Sequence, residues 1–324
     1  MSPLDALGFP PITADMERVE ATLRGAVRDE DPYLSDVAGH LVSAGGKRLR
    51  PALAVCAAYA AKGLGPVSDD AVTGGVSVEL VHLGSLYHDD VIDEAETRRG
   101  VPSVNARWSN IVAILAGDYL LARASSLAAS LGAPVAALLA ETIGELCRGQ
   151  VLELQHLFDV DRSVEIYTDA ISGKTAALFA TACRVGGMVS AVDDPTLDAL
   201  TSFGHHLGMC FQVVDDVLDV TATDEALGKP AGNDILEGVY TLPVIHALGE
   251  SDELRDLLGR KIDRDALPRA RELVTGTDGV DRAVEAARGH AASASEVLRS
   301  TSALDAEVVD GMTRLVDTLV TREF

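Results

Sequence analysis

The feature that most restricts the fold of this chain is a series of long Ala-, Leu- and Val-rich stretches with helical spacing. Aromatic residues make up only 4% of the 324 residues, and no Asn-Gly or Asp-Gly turn joins two alternating apolar runs. Several stretches are apolar on nearly every side, which is typical of helices buried in the middle of a large bundle. The sequence therefore predicts an all-α fold.

Segments containing Gly and Pro divide these stretches into about 10 to 13 helices. The predicted helices span residues 14–29, 34–44, 48–62, 68–95, 105–131, 133–158, 162–186, 194–221, 234–249, 252–260, 264–276, 280–300 and 303–322. No linker or low-complexity run interrupts the chain. We therefore predict a single domain over residues 1–324.

The charge balance limits the ligands that such a bundle can bind. Hydrophobic residues make up 47% and charged residues 24%, which is a soluble globular composition. Fifty acidic residues against 27 basic ones give a net charge of −23, which disfavours non-specific nucleic-acid binding. An acidic chain also repels anionic substrates at long range, so an anionic ligand needs a local basic cluster or a metal.

A cytoplasmic location is the expectation from the cysteines and the N-terminus. The cysteines are scattered without a C-x-x-C pair, which indicates free buried thiols in a reducing compartment. The first 20 residues have neither a basic n-region nor an apolar h-region, so we expect no signal peptide. The longest apolar stretch, residues 110–140, is interrupted by Asp118, Arg123, Gly132 and Pro134, so we expect no membrane span.

Two aspartate clusters indicate metal-dependent chemistry. The pattern D-D-x-x-D occurs twice, at Asp89, Asp90 and Asp93 and at Asp215, Asp216 and Asp219. Like charges four residues apart destabilise a helix unless something neutralises them, and the second cluster lies in an apolar stretch. Mg²⁺ usually binds one or two carboxylates together with substrate phosphates. We therefore predict that the clusters hold Mg²⁺ against a diphosphate, although a solvated acidic helix end explains the first cluster equally simply.

Two basic segments suit an anion. GGKRLRP, residues 45–51, places Lys47, Arg48 and Arg50 after two glycines and at the start of a predicted helix, where the backbone can approach an anion. Arg98 and Arg99 directly follow the first aspartate cluster. The guanidinium groups of these arginines could complete an anion-binding site beside the aspartates. Cations are also common at the C-terminal end of a helix, where they stabilise its dipole without binding a ligand.

Two further candidate lysines lie in the second half of the chain. SGKT, residues 172–175, lies inside a predicted helix, where Gly173 costs about 1 kcal/mol relative to Ala. This favours a kink that aims Lys174 and Thr175 inward. Lys229 follows the second aspartate cluster in a predicted loop. Taken singly, each lysine is also consistent with a solvated surface charge.

Together these motifs resemble the trans-isoprenyl diphosphate synthase, or polyprenyl synthetase, family. They are GGKRLRP, ELVHLGSLYHDDVID, RRG, AGDYLLARA, GKT, FQVVDDVLDV, LGKPAGNDILEG and TLPVIHAL, in the family's order from residue 45 to about 248. The resemblance implies a helical bundle of the isoprenoid synthase type around a central active-site cavity, usually in a homodimer. It also implies Mg²⁺-dependent addition of isopentenyl diphosphate to an allylic diphosphate, with peripheral membrane contact as a possible route of product release.

The resemblance assigns roles residue by residue. It places Mg²⁺, three ions per active site with substrate bound, at Asp89, Asp93, Asp215 and Asp219, with Asp90, Asp216 and Lys174 completing the catalytic set. It places the allylic diphosphate at Arg98, Lys174, Thr175, Gln212 and Lys229, and isopentenyl diphosphate at Lys47, Arg50, His82 and Arg99. Val239 stands where many family members have a lysine, so one of three lysine contacts to the allylic diphosphate is missing.

The helix that leads to Asp89 bears on product length. Short-chain relatives often carry a large aromatic at the level of Gly84 and Ser85, and Val81 follows further back at helical spacing. Small side chains here leave an apolar tunnel open. We therefore predict a product of hexaprenyl to decaprenyl length, with geranylgeranyl as the runner-up.

Three other interpretations remain open at this point. Glu79-x-x-His82 and Glu153-x-x-His156 are two E-x-x-H motifs, such as a di-iron carboxylate bundle uses. A non-catalytic subunit of a heteromeric synthase would fit the change at Val239, although both aspartate clusters are complete. A class I terpene cyclase shares the aspartate chemistry but does not need GGKRLRP.

Overall fold

A computed structural model describes residues 6–223 and 231–321 of the chain, and the chain divides into two compact units. The first unit contains residues 1–143, 178–204 and 297–315, and the second contains residues 144–177, 205–296 and 316–324. Each unit is assembled from separate segments of the chain. The single domain over residues 1–324 stays a prediction.

Helices dominate the described residues, which confirms the predicted all-α class. They are α1 (Ile12–Ala26), α2 (Pro32–Ser43), α3 (Leu49–Lys62), α4 (Asp69–Ile92), α5 (Val104–Arg107), α6 (Asn110–Ser130), α7 (Ala133–Gln155), α8 (Val164–Ile171), α9 (Ala177–Val189), α10 (Asp194–Thr221), α11 (Asn233–Glu237), α12 (Leu242–Leu248), α13 (Asp252–Leu258), α14 (Leu267–Thr275), α15 (Gly279–Ser300) and α16 (Ala306–Val320). A π-helical stretch, Ser172–Ala176, joins α8 to α9.

Capping side chains fix where several helices begin. Ser68 caps α4, Ser103 caps α5, Ser109 caps α6 and Ser163 caps α8, each by accepting a backbone N–H of the first turn. Replacing such a cap by Ala costs about 1 kcal/mol. The cap at Ser109 explains why the predicted helix over 105–131 is in fact two helices, α5 and α6.

The central helix of the first unit is α4, which packs against α1, α3 and α6. Two glycines bring its neighbours close. A Cβ atom at Gly75 would lie 3.2 Å from Pro51 of α3, and one at Gly84 would lie 3.1 Å from the carbonyl oxygen of Gly117 in α6. Because α4 is covered on several sides, apolar and small residues occupy most of its circumference between its first turn and the aspartates at its C-terminal end, with Glu79 as a buried exception.

A short hairpin after α4 was not predicted. Strands β1 (Thr97–Arg98) and β2 (Val101–Pro102) pair antiparallel, with Arg98 opposite Val101. The two turn residues, Arg99 and Gly100, have φ values of 55° and 75°, as a type I′ turn requires. Arg99 is an unusual residue for the left-handed region, which costs roughly 1–2 kcal/mol outside glycine, and the sequence therefore carried no standard hairpin signal.

The second unit has a hydrophobic core of its own. The end of α10 and helices α11 to α14 supply it, with Val220, Tyr240 and Leu254 almost completely buried. The predicted helix over 234–249 is two helices, α11 and α12, because Gly238 ends the first with a φ of 80° and Pro243 begins the second.

Helix α6 is unusual in the surface that it presents. It is long and apolar enough to cross a membrane by length and composition alone, and only about a third of its most apolar stretch is buried. Ile111, Ile114 and Leu115 are exposed on it. These residues follow helical spacing, so they form one apolar face.

The cysteines are free, as the sequence predicts. Cys56, Cys183 and Cys210 are buried, and burial raises the pKa of Cys210 to about 12, which makes this thiol unreactive. Cys147 on α7 is exposed, so the expectation that the thiols are buried is wrong for this residue.

Candidate active site

The first aspartate cluster occupies the last turn of α4 and the residue that ends it. The N–H of Asp93 donates to the carbonyl oxygen of Asp89 at 2.8 Å, so these two aspartates belong to the same turn. Asp89 is partly buried and Asp93 is exposed, whereas Asp90 is fully buried. A ligand arriving from solvent therefore has access to Asp89 and Asp93, and Asp90 has a different role.

Asp90 is held by the hairpin arginine. The Nε and Nη2 atoms of Arg98 donate to the same oxygen of Asp90, Oδ1, at 2.7 Å and 2.6 Å. The other oxygen, Oδ2, is buried and has no hydrogen-bond partner within residues 6–223 and 231–321. Burial raises the pKa of Asp90, and Arg98 opposes that shift. A buried carboxylate oxygen without a partner is costly, and the charge of Arg98 on the other oxygen offsets part of this cost.

The second hairpin arginine contacts the basic segment instead. The guanidinium of Arg99 donates to the carbonyl oxygens of Leu41, at 3.2 Å, and of Gly45. Gly46 has a φ of 150°, which side chains other than glycine rarely adopt, and Arg99 packs directly over it. Adjacent residues Arg98 and Arg99 therefore connect the first aspartate cluster with GGKRLRP.

Arg48, which the sequence did not single out as a site residue, anchors the basic segment. It is 5% exposed and has a φ of 47°. Its Nε donates to Oε1 of Glu20 at 2.5 Å, its Nη1 to Oε1 of Glu79 at 3.0 Å and its Nη2 to the carbonyl oxygen of Val42 at 3.0 Å. Burial lowers the pKa of Arg48, but the two glutamates raise it above its ordinary value. The neighbouring Lys47 stays exposed.

Three of the residues predicted to bind isopentenyl diphosphate form one basic cluster. The guanidinium of Arg50 lies 4.7 Å from the centroid of the Phe179 ring, and its Nε is buried without a hydrogen-bond partner among the described residues. Burial lowers the pKa of Arg50 to about 10, so it stays charged at neutral pH. Burial, with Arg50 and Arg99 nearby, lowers the pKa of His82 well below its usual value. The cluster therefore combines fixed cations with a neutral imidazole.

The second aspartate cluster lies within α10, in the second unit. Asp215 is exposed, whereas Asp216 and Asp219 are each 2% exposed. The hydroxyl of Tyr167 donates to Oδ2 of Asp216 at 2.5 Å, and the Gln212 amide donates to Oδ1 at 2.7 Å. Burial, and secondarily the charge of Asp215, raises the pKa of Asp216 to about 7. Both oxygens of Asp216 already accept hydrogen bonds, so this residue holds Tyr167 and Gln212 in position.

The predicted kink at SGKT is a π-helical stretch, Ser172–Ala176. Within it, Nζ of Lys174 donates to Oε1 of Glu153 at 2.6 Å, and the hydroxyl of Thr175 donates to Oε1 of Gln212 at 2.7 Å. Gln212 in turn donates to Asp216. The structure therefore connects Thr175 and Gln212 to the second aspartate cluster, and it places Lys174 against Glu153. The role of these residues at the allylic diphosphate stays a prediction. Lys229, also assigned to this set, lies outside the described residues.

The structure pairs both glutamates of the di-iron interpretation with basic side chains. Glu79 accepts a hydrogen bond from Arg48, and Glu153 accepts one from Lys174, so cations occupy both carboxylates. Within residues 6–223 and 231–321, no group of three His, Cys, Asp or Glu side chains is placed to hold a metal ion by itself. Mg²⁺ does not need such a cage, because it completes its coordination with substrate phosphates and water.

The residues predicted to control product length lie in the last turns of α4. Val81 is buried, and Gly84 faces α6, where a Cβ atom would meet Gly117 and also lie 3.2 Å from Leu121. The Ser85 side chain is partly exposed, and its hydroxyl donates only to a carbonyl of its own helix. Ser85 is therefore the position of this group at which a larger side chain is most easily accommodated.

Comparison with known proteins agrees with this geometry. The chain matches the polyprenyl synthetase family over residues 31–275. A nonaprenyl diphosphate synthase of Mycobacterium tuberculosis (strain ATCC 25618 / H37Rv) is 40% identical over 301 residues, covering 91% of this chain and 89% of that protein. Heptaprenyl diphosphate synthase component 2 of Geobacillus stearothermophilus is 43% identical over 244 residues, which are 74% of each chain.

A solved structure supports the same conclusion. The polyprenyl synthase from Caulobacter crescentus CB15, complexed with calcium and isoprenyl diphosphate, has a TM-score of 0.91 and 32% identity, and the match covers 98% of both chains. The predicted isoprenoid synthase fold and the predicted prenyltransferase class are thereby confirmed. By the motifs, by the contacts that position them and by these matches, this chain belongs to the polyprenyl synthetase family.

Proposed function

We propose that this prenyltransferase condenses isopentenyl diphosphate with an allylic diphosphate into an all-trans product of hexaprenyl to decaprenyl length. The observation that carries the proposal is the basic cluster in the first unit. Arg50 and Arg99 of this cluster, with the neighbouring Arg48, supply three positive charges against the carboxylates of Glu20 and Glu79. In a chain with net charge −23, such a local excess of cations indicates an anionic ligand.

The two aspartate clusters would hold Mg²⁺, through Asp89 and Asp93 in the first unit and through Asp215 and Asp219 in the second. These carboxylates form all-oxygen donor sets, which fit this ion. When bound, Mg²⁺ neutralises the charge that develops on the departing pyrophosphate. Titration of the magnesium-free protein by calorimetry tests the assignment, including the number of ions, which we propose to be three with substrate bound.

The side chains of the chain itself bind and orient the substrates. In the first unit, Asp90 fixes Arg98 for contact with diphosphate oxygens. In the second unit, Glu153 fixes Lys174, which we propose separately as a contact to the allylic diphosphate. The isopentenyl double bond attacks the allylic carbon as the carbon–oxygen bond to pyrophosphate breaks. A proton then leaves the new chain, and the departing pyrophosphate accepts it. Neutral His82 donates a hydrogen bond to isopentenyl diphosphate without adding charge.

Product length follows from the end of α4 and is supported by the relatives. Gly84 and Ser85 leave no bulky side chain one turn before Asp89. The two relatives described above are named for nonaprenyl and heptaprenyl products. Chromatography of dephosphorylated products made from radiolabelled isopentenyl diphosphate tests the proposal. A ladder that ends between hexaprenyl and decaprenyl is expected, whereas a dominant farnesyl or geranylgeranyl band contradicts it.

We further propose that the exposed apolar face of α6 packs against a second copy of the chain in a cytoplasmic homodimer. Ile111, Ile114 and Leu115 supply this face. Asp118, one turn further, is also exposed, and burying a carboxylate in lipid is costly. The dimer rather than the membrane is therefore the favoured partner. Light scattering of Leu115→Asp against wild type tests it: the variant should be monomeric, and co-sedimentation of wild type with liposomes would indicate membrane contact instead.

A further inference from the structure

A buried arginine in the second unit has no role in the site described so far. Arg162 lies between α7 and α8 and is 3% exposed. Its Nη1 atom donates to the carbonyl oxygen of Tyr240 at 3.1 Å. Its Nε and Nη2 atoms are also buried, and neither has a hydrogen-bond partner among residues 6–223 and 231–321. Buried donors without partners are unfavourable, especially on a cation, so this guanidinium calls for a ligand.

Arg162 lies beside Val239, the position at which the sequence resemblance leads us to expect a lysine. The N–H of Phe158 donates to the carbonyl oxygen of Gly238 at 2.8 Å, and Arg162 donates to that of Tyr240. The residues on both sides of Val239 are therefore bound to the segment before α8. A Cβ atom at Gly238 would lie 2.6 Å from the Phe158 ring, which requires glycine there and keeps the two segments in contact.

The surrounding carboxylates are already engaged. Glu153 accepts a hydrogen bond from Lys174, and Asp216 accepts one from Tyr167. The Arg162 guanidinium lies 5.7 Å from the centroid of the Tyr167 ring. Burial lowers the pKa of Arg162, and Glu153 and Asp216 counteract this shift, so the group stays cationic at neutral pH. The Nε and Nη2 nitrogens, which carry three N–H groups between them, are left for an incoming anion.

We propose that Arg162 supplies the cationic contact to the allylic diphosphate that Val239 does not supply. The Nε and Nη2 atoms form a planar pair of donors, which matches two oxygens of a phosphate. Arg162 thus delivers positive charge to the loop around Val239 from a different segment of the chain. This inference rests on the proposed function, because it takes the allylic diphosphate as the ligand of the second unit.

Three variants test it: Arg162→Met, Val239→Lys and the double variant. The KM values for the allylic primer and for isopentenyl diphosphate are measured separately, and binding of inorganic pyrophosphate with Mg²⁺ is measured by calorimetry. Arg162→Met should raise the allylic KM and the pyrophosphate Kd by about 10- to 100-fold, the size of a charge-assisted hydrogen bond. The KM for isopentenyl diphosphate should change by less than about twofold, and Val239→Lys should recover most of the loss in the double variant.

Arg255→Met is the matched control. Arg255 also contacts the segment before α8. It donates to the carbonyl oxygen of Val160 and forms a solvent-accessible ion pair with Asp161, so the Arg255→Met variant tests a contact that lies outside the proposed site. It should leave both KM values unchanged. Equal increases in both KM values for Arg162→Met, or no change in pyrophosphate binding, would show a purely structural brace and overturn the proposal.

The test does not depend on the folding of one variant. If Arg162→Met is unfolded, Val239→Lys in the wild-type background decides. A site already filled by Arg162 should gain less than about threefold in pyrophosphate affinity, whereas a gain of about tenfold or more would show that the site is vacant and would overturn the proposal. A failure of the proposed function would be seen separately, as an absence of prenyl transfer by the wild-type enzyme.

Discussion

The Nη2 atom of Arg98 lies 2.6 Å from Oδ1 of Asp90, and Nε of the same guanidinium donates to the same oxygen. Asp90 is the buried member of its cluster, so this pair fixes the hairpin to the end of α4. Arg98 thereby stays next to Asp89 and Asp93 without binding either of the two accessible carboxylates through these bonds. The division between a structural carboxylate and ligand carboxylates leads to the first prediction.

Asp89→Ala and Asp215→Ala should each lower kcat by at least about 100-fold while leaving thermal unfolding nearly unchanged. Asp89 is only partly buried and Asp215 is exposed, and substitutions at such places usually change stability by no more than about 0.5 kcal/mol. Steady-state kinetics and differential scanning fluorimetry measure the two effects. Asp310→Ala, at an exposed position of α16 outside the proposed site and dimer face, is the control. Near wild-type turnover in both variants would defeat the assignment.

Arg48→Met should destabilise the protein by about 3 kcal/mol. Removing one partner of a buried ion pair leaves the other charge uncompensated, and Glu79 is 2% exposed. Urea unfolding measures the loss. Arg24→Met is the matched control, because Arg24 meets Glu20 at 3.7 Å on the surface and its loss should cost less than about 1 kcal/mol. A similar cost for both variants would show that the buried pair does not anchor the segment.

Lys47→Ala and Arg50→Ala should raise the KM for isopentenyl diphosphate by about tenfold or more, and the KM for the allylic primer by much less. The basic cluster of the first unit is assigned to one of the two diphosphates, and this asymmetry follows from that assignment. Lys62→Ala, at an exposed position in the last turn of α3, is the control. Equal effects on both substrates would mean that the cluster does not discriminate between them.

Acidification should destabilise the protein through His82. Its pKa in the folded protein is lowered well below the usual value of 6.5, so between these two values the unfolded chain binds a proton that the folded chain does not. Stability is therefore retained above about pH 6.5 and falls below it, by up to about 1.4 kcal/mol per pH unit. Urea unfolding of wild type and His82→Gln across this range measures the effect. Parallel pH profiles of the two proteins would contradict it.

Ser85→Phe should shorten the product while the first condensation continues. The hydroxyl of Ser85 bonds only within its own helix, so a larger side chain can replace it without breaking a tertiary hydrogen bond. Gly84→Phe is a poorer test, because its side chain would strike Gly117 and Leu121 of α6 and destabilise the packing. Ser125→Phe on α6, an exposed serine with the same kind of hydrogen bond, is the control. An unchanged product ladder would exclude Ser85 from the tunnel wall.

The helices and the motif residues could be predicted because their signals are local. The D-D-x-x-D spacing and the apolar periodicity depend on residues within one or two turns. Arg48 and Arg162 could not be predicted, since their roles depend on partners far away in the chain. Glu79 lies 31 residues from Arg48, and Tyr240 lies 78 residues from Arg162. From the sequence alone, a buried arginine cannot be distinguished from an exposed one, because its distant partners are not known.

The hairpin and the helix breaks show a second limit. Arg99 occupies a left-handed turn position where Gly, Asn or Asp is the usual signal, and the bonds that its side chain makes to Leu41 and Gly45 compensate. The breaks at Ser109 and Gly238 did carry local signals, a capping serine and a C-terminal glycine. Strong apolar periodicity on both sides concealed those signals.

The π-helical stretch between α8 and α9 also acts as a phase shift in the chain. One extra residue in a turn shifts the helical phase of the sequence by about 100° at that turn. The helical periodicity of residues Val164 to Val189 therefore changes phase at Ser172–Ala176. Deleting one residue there would convert the segment into a single continuous α-helix. Lys174 would then no longer face Glu153. In this segment, chain length counts for as much as residue identity.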